Sequence, residues 1–291
     1  MKNEPVKIIF VNSFKGGAGK TTLSLSHCIT GFSDPEKFDN IVYMDLDLLG
    51  TGTRYLFDEK NVPEDKCFDQ TGKSVSIKIG TGGQNELHLA YLSTSFNGRF
   101  VLGGPHFAHH QGIVEETLRD KVIKFIKAQT SRSVKTMIVL DCAPGFSEME
   151  QKILKECYSM ASQGEVIVEE EYVTTLDSAH VRKCIQCLHE GQKNFEVPKD
   201  NRNIKVVIND IQNYEGYLRN EEGKNATEEW EKIAAEMKKQ FGDMKITLMR
   251  WKYSEEVAIK STYLNERKLE NQIDDYILTS ANYIEIGAKG K

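Results

Sequence analysis

Lys15-Gly16-Gly17-Ala18-Gly19-Lys20-Thr21-Thr22 is the stretch that decides the fold. It follows an apolar run, Val6 to Val11, and precedes a segment in which Leu25, Cys28, Ile29 and Phe32 recur at i, i+3, i+4 and i+7. The run reads as a buried strand and the recurrence as one face of a helix. A glycine-rich turn between strand and helix gathers backbone N–H groups, and the helix start adds the positive end of its dipole. Gly16, Gly17 and Gly19 permit the tight turn, Lys20 is placed to reach β- and γ-phosphates, and the Thr21 hydroxyl to ligate Mg2+. The candidate nucleotide-binding loop is thus Gly16 to Thr22, with Ala18 and Thr22 included. The strict pattern asks for glycine at position 14, where this chain has Phe14.

Outward from the loop the pattern keeps alternating. Ile41–Met44, Leu87–Leu92, Thr136–Leu140, Val166–Val168, Ile204–Ile208 and Ile246–Met249 read as strands. Helical faces are marked by Val114, Leu118, Val122 and Phe125, then by Ile153, Leu154, Cys157 and Ala161. Two more follow at Val181, Cys184, Ile185 and Leu188, and at Trp230, Ile233, Ala234, Met237 and Phe241. This alternation predicts an α/β fold, a mostly parallel twisted sheet with helices on both faces. Phe57–Gln84 is polar and rich in Gly, Lys and Asp, and reads as an insertion at about residues 57–86. Neither it nor the polar loop Gln212–Asn225 has linker composition, so the 291 residues read as a single domain. Tyr276–Lys291 reads as a final helix packed on the sheet.

Composition narrows the function. With 28% charged residues and no apolar stretch near the length of a bilayer span, no transmembrane segment is expected. The net charge of −5 excludes nucleic-acid binding by bulk charge and requires a local patch instead. Of the cysteines at 28, 67, 142, 157, 184 and 187, only the last two are close together. Without an export signal they read as reduced thiols of a cytoplasmic protein.

Carboxylates gather at expected strand ends. Asp45 and Asp47 close the second strand, and alternation puts them on the same side, at the carboxyl end where open α/β sheets bind ligands. Met137-Ile138-Val139-Leu140-Asp141 is an apolar strand ending in an acid able to hold Mg2+ through water. Gly145 follows, and can offer its N–H to a γ-phosphate without side-chain clash. Asn209 ends another strand with an amide that can read a purine edge. The guanine-specific Asn-Lys-x-Asp run is absent, since the chain reads Asn209-Asp210-Ile211-Gln212.

The run Lys15–Thr22 resembles the loop of the deviant Walker A ATPases of the ParA/MinD type, written Lys-Gly-Gly-x-Gly-Lys-[Ser/Thr]-Thr, and ParA-like partition ATPases are the most similar branch. The likeness covers Val6–Gly50, Thr136–Gly145 and Val206–Asn209. It implies a P-loop NTPase domain that hydrolyses ATP with Mg2+ and dimerises around ATP. It implies that Lys15 reaches the partner subunit's phosphates, although the residues alone leave open whether Lys15 acts in its own subunit. It assigns Asp47 to the attacking water and Asp45 to the surroundings of Mg2+. It also matches Asp141-x-x-x-Gly145 to a switch loop, and Asn209 to the nucleobase, with adenine implied. Leu48-Leu49-Gly50 departs from the family's usual Pro-Gln after the acids, and Asp210 from its arginine.

The family couples an ATP-dependent homodimer, often with an activating partner protein, to a surface. ParA-like members hold DNA non-specifically; MinD-like members hold membrane through a basic amphipathic C-terminal helix. Tyr276–Lys291 lacks such a basic face. Arg250, Lys252, Lys260, Arg267 and Lys268 are the candidate phosphate contacts for DNA. Two other classes stay open: a metal-trafficking or iron–sulfur assembly ATPase, requiring Cys184 and Cys187 to be exposed, and a regulatory nucleotide-binding module with little turnover. Cys184 shares the apolar face of Val181 and Leu188, which favours burial. His106, His109 and His110 read as exposed loop histidines. Glu169-Glu170-Glu171 reads as a solvated run at a strand end.

Overall fold

The computed structural model describes residues 5–33, 38–46, 75–79, 85–91, 119–120, 122–145, 147–194, 202–221, 225–252 and 283–286. Its strands are β1 (Val6–Ser13), β2 (Asn40–Asp45), β3 (Val75–Ile79), β4 (Asn85–Tyr91), β5 (Thr136–Pro144), β6 (Val166–Thr175), β7 (Ile204–Asn209), β8 (Ile246–Trp251) and β9 (Tyr283–Glu285). The helices among these residues are α1 (Lys20–Ser33), α2 (122–130), α3 (Glu148–Ser162), α4 (Ser178–Asn194), α5 (Tyr214–Glu221) and α6 (Ala226–Phe241). The strands form one 9-stranded sheet in the order β3-β4-β2-β5-β1-β6-β7-β8-β9. Every pairing from β4 to β8 is parallel, and the two edge strands β3 and β9 are antiparallel.

Strand alternation sorts the apolar residues onto two faces. Ile9 and Val11 of β1 pack with Ile41 and Tyr43 of β2 beneath Leu23, Leu25 and Cys28 of α1. Ile8 and Phe10 face the other way, against Val122 and Ile126 of α2 and Ile153, Leu154 and Cys157 of α3. Further along that second face, Val206, Ile208 and Leu248 meet Cys184 and Leu188 of α4 and Trp230, Ala234, Met237 and Phe241 of α6. The α/β fold read from the alternation is the observed one, with helices on both faces.

Local chemistry sets the helix limits. Ser147 caps α3 by accepting the N–H of Glu150, whose carboxylate returns to the Ser147 N–H, a reciprocal capping box. Asn225 caps α6, acids occupy its first turn and Lys238 and Lys239 its last, and Gly242 with φ +60° ends it.

Three expectations change. The run Glu169-Glu170-Glu171 is not solvated: β6 runs on to Thr175, and the three acids are 6%, 0% and 0% exposed. Alternation sends Glu170 to the α3 face and its neighbours to the α1 face, where each meets a cation. Glu170 accepts both Arg202 Nε at 2.7 Å and Arg202 Nη2 at 2.5 Å, with the Tyr158 and Tyr172 hydroxyls at 2.5 and 2.6 Å. Glu169 pairs with Lys205 and with Lys7 at 3.5 Å. Glu171 lies 2.6 Å from His27 Nε2 and accepts the Tyr283 hydroxyl at 2.8 Å.

The second change is at the C-terminus. Within the segment expected to be a helix, Tyr283–Glu285 forms β9, because the free edge of β8 offers backbone groups that a strand satisfies. The third concerns Gln212–Asn225, read as a polar loop, which contains the helix α5. The polar segment at about 57–86 contains β3, whose Val75, Ile77 and Ile79 alternate with polar residues, and β3 pairs with β4. The strand expected at Leu87–Leu92 is β4, seated in parallel beside β2.

Removing one partner from a buried ion pair leaves the other charge bare. Arg202→Met should therefore lower the unfolding free energy by about 3–5 kcal/mol in urea denaturation. The pH dependence has a defined sign. Burial pushes the Glu171 carboxyl up, but His27 and Lys205 outweigh it and hold it at about 2, below its ordinary 4.5. A carboxylate depressed in the folded state contributes its stability above the unfolded value and loses it as pH falls through the folded one. The urea midpoint should therefore drop between pH 4.5 and about 2, and His27→Gln should make that drop smaller.

Candidate nucleotide-binding site

The loop leaves β1 at the C-terminal edge of the sheet and enters α1 at Lys20. Lys15, Gly16 and Gly17 are exposed, whereas Ala18 and Lys20 are buried at 2% and 8% exposure. Gly17 and Gly19 have φ of +77° and +95°, a region side chains rarely adopt. Ser13 Oγ donates to the Lys15 carbonyl at 2.7 Å, pinning the first turn. Asn209 Nδ2, from the end of β7, donates to the Ala18 carbonyl at 2.9 Å and braces the loop from below. A Cβ at Gly19 would stand 2.4 Å from that Nδ2 and 3.3 Å from Trp251 Cζ3. At Gly16 and Gly17, by contrast, it would meet nothing within 4 Å. The loop is therefore tight on its inner side and open outward, a shape that suits phosphate oxygens met by backbone N–H groups at a helix start.

Asp45 and Asp141 lie side by side, as Cα partners of β2 and β5, on the face covered by α1. Both are buried, at 3% and 2% exposure. The Tyr43 hydroxyl donates to Asp141 Oδ2 at 2.8 Å, and the Leu46 N–H to the Asp141 carbonyl at 2.8 Å. Thr21 is half-buried at the start of α1, on whose side these acids lie. One hydroxyl and two carboxylates fit Mg2+, a cation that keeps several waters and needs few protein ligands. Asp47 lies outside the described residues. Gly145, with φ +103°, donates its N–H to the Ser13 carbonyl at 2.8 Å, so the segment after β5 is tied to the base of the loop.

Several site neighbours were not singled out by sequence reading. Glu150 is fully buried, and besides capping α3 it accepts the Ala143 N–H at 2.5 Å, so its carboxylate spans the turn that carries Gly145. The capping signature Ser147-x-x-Glu150 was its available signal. Tyr43 could have been found from its place two residues before Asp45, on the same face.

Other expected groups lie elsewhere. Arg250 is not a surface cation: it is 6% exposed, sits 4.2 Å from the Trp230 ring centroid and pairs with Asp210 Oδ2 at 3.4 Å. Asp210 also accepts the Tyr214 N–H at 2.7 Å and so holds the start of α5. Lys252 is half-buried; Lys260, Arg267 and Lys268 lie outside the described residues. Cys184 is 1% exposed and burial pushes its thiol up, while Cys187 is half-buried. Among the described residues no cluster of three His, Cys, Asp or Glu side chains could hold a metal, and no helix is long and apolar enough to cross a membrane. Cys67, His106, His109 and His110 lie outside the described residues.

No family model and no curated protein matches the chain. Solved structures do. A Borrelia burgdorferi B31 protein described as a plasmid partition protein, solved with AMPPNP bound, is similar at TM-score 0.50 and 13% identity, over 96% of this chain and 98% of that one. The cell division ATPase MinD of Pyrococcus furiosus is similar at TM-score 0.50 and 14% identity, over 97% and 98%. The pnob8 ParA is similar at TM-score 0.50 and 14% identity, over 94% and 80%. The chain thus has the fold of the ParA/MinD-type P-loop ATPases.

Gly19→Ala combines a strained φ with a contact against Asn209. It should lower the unfolding free energy by about 1–3 kcal/mol in urea denaturation, and Gly16→Ala by less.

Proposed function

We propose that the protein is an ATP-dependent dimerising switch that hydrolyses ATP to ADP and phosphate and drives partition of DNA or positioning of a cargo. The observation that carries this reading is the loop: two lysines five residues apart, glycines at positive φ, an outward-open cradle and a helix beginning at Lys20. The fold shared with partition proteins and MinD supports the choice of class.

Gly16 to Thr22 hold the phosphates through their N–H groups, and Lys20 and Lys15 place positive charge where the transferring phosphoryl gathers negative charge. Thr21, Asp45 and Asp141 would hold Mg2+, which would neutralise charge on the phosphates. Asp47 orients the attacking water. Gly145 presents its N–H to the γ-phosphate once it gives up the Ser13 carbonyl. Asn209 keeps one N–H on Ala18 and turns the rest of its amide toward the adenine edge. Lys15 reaches the phosphates of the second subunit in the homodimer, and an activating partner protein speeds a slow intrinsic turnover. The switch works in the cytoplasm. The metal-trafficking reading needs an exposed pair, whereas Cys184 lies on the core face of α4 among Tyr172, Val206 and Trp230.

The test is DNA retention by the Asp47→Ala protein, with and without Mg·ATP, across a salt series. Retention that requires ATP and falls steeply with salt is expected, because non-specific affinity comes from phosphate contacts that release counterions. Asp47→Ala should bind ATP and lose hydrolysis, and Lys20→Ala should lose ATP binding. Asp47→Ala turning over ATP at the wild-type rate would remove the water-orienting role. Protein that binds ATP and retains no DNA at low salt would point to a surface other than DNA.

A further inference from the structure

Phe14 stands where the strict loop pattern has glycine, and the structure gives it a partner. Its ring is stacked on that of Tyr172, with centroids 5.5 Å apart and planes at 7°. Tyr172 is itself immobilised: it is 1% exposed, and its hydroxyl donates to Glu170 at 2.6 Å. That carboxylate is gripped in turn by the Arg202 fork and the Tyr158 hydroxyl. The residue before Lys15 is thus fixed to a buried anchor built from β6, α3 and the segment leading into β7. On its other side, Ser13 Oγ holds the Lys15 carbonyl at 2.7 Å. Phe14 is half-buried and Lys15 exposed, so the stack lies at the boundary between the rigid core and the free lysine.

A glycine at this point would leave the first turn many directions; a stacked aromatic ring leaves few. We propose that Phe14 is a positioning residue which, stacked on Tyr172, fixes the backbone direction from which Lys15 reaches a transferring phosphoryl group. What Lys15 meets rests on the ATPase reading above; how Phe14 is held rests on the contacts alone. Lys15 gains most when charge gathers in the transition state, so its misplacement costs turnover more than ground-state binding. Lys20 and the loop amides do not depend on the stack and keep their hold on a diphosphate.

The test compares full-length wild type, Phe14→Ala and Phe14→Tyr by two readouts. The first is the backbone order parameter from 15N relaxation at residues 15–19 without nucleotide, which does not depend on any activity. Phe14→Ala should lower it from about 0.85 to below about 0.6, and Phe14→Tyr, which keeps the ring, should leave it unchanged. The second is steady-state ATP turnover with ADP affinity. Phe14→Ala should lower kcat roughly tenfold with KM and ADP affinity within about twofold, and Phe14→Tyr should restore kcat. Unchanged order parameters in Phe14→Ala overturn the positioning role, as does an effect on KM alone, or Phe14→Tyr failing like Phe14→Ala. If wild type neither binds nor hydrolyses ATP, the ATPase reading fails and the phosphoryl half of the proposal with it; the order parameters then decide by themselves whether the stack holds the loop.

Discussion

Strand β1 has nowhere to go but forward. Both of its edges are paired, with β5 and β6, and both of its faces are covered, by α1 on one side and by α2 and α3 on the other. A strand enclosed in this way can emerge only at its C-terminal end. Because its neighbours run parallel and in register, Asp45, Asp141, Asn209 and Trp251 arrive at the same edge. The position of the loop and of the polar groups around it follows from that enclosure and from the backbone hydrogen bonds that maintain it.

The same enclosure makes ionised groups in β6 expensive unless each is fully satisfied. Glu170 shows how the cost is offset: four donors from three separate segments converge on its two oxygens. Glu171 uses the other face, where His27 in α1 and Tyr283 in β9 share its carboxylate and their rings meet edge to face at 5.8 Å. The helix that begins at the loop is thereby linked to the last strand of the sheet through a single side chain. These contacts are geometrically demanding, which suits a core that must hold one arrangement.

The loop was legible because its residue types are chemically specific: three glycines and two lysines at fixed spacing have few other uses. The acids at the ends of apolar strands were legible for a related reason, since strand ends are marked in the pattern. The fate of Glu169–Glu171 was not legible, since Lys7, His27, Arg202 and Lys205 are distant in sequence and a run of acids looks the same whether hydrated or paired. Arg250 reads as a surface cation for the same reason; its partners Asp210 and Trp230 are tertiary. β9 is only three residues long, and its state is decided by the edge of β8 rather than by its own pattern. Phe14 looked like a mismatch to a motif because the motif records what phosphate needs and not what lies beneath the loop.

The buried acids also bear on the chain while it is being made. Lys7 and His27 precede Glu169 and Glu171, but Arg202 lies 32 residues beyond Glu170. Closing β6 onto β1 before Arg202 exists would seal a bare carboxylate under α3, at several kcal/mol by order of magnitude. Docking of β6 is therefore disfavoured until the chain carries Arg202. A nascent chain stopped short of that point keeps a hydrated, strongly anionic strand at its open edge, which discourages pairing with other chains while the protein is incomplete.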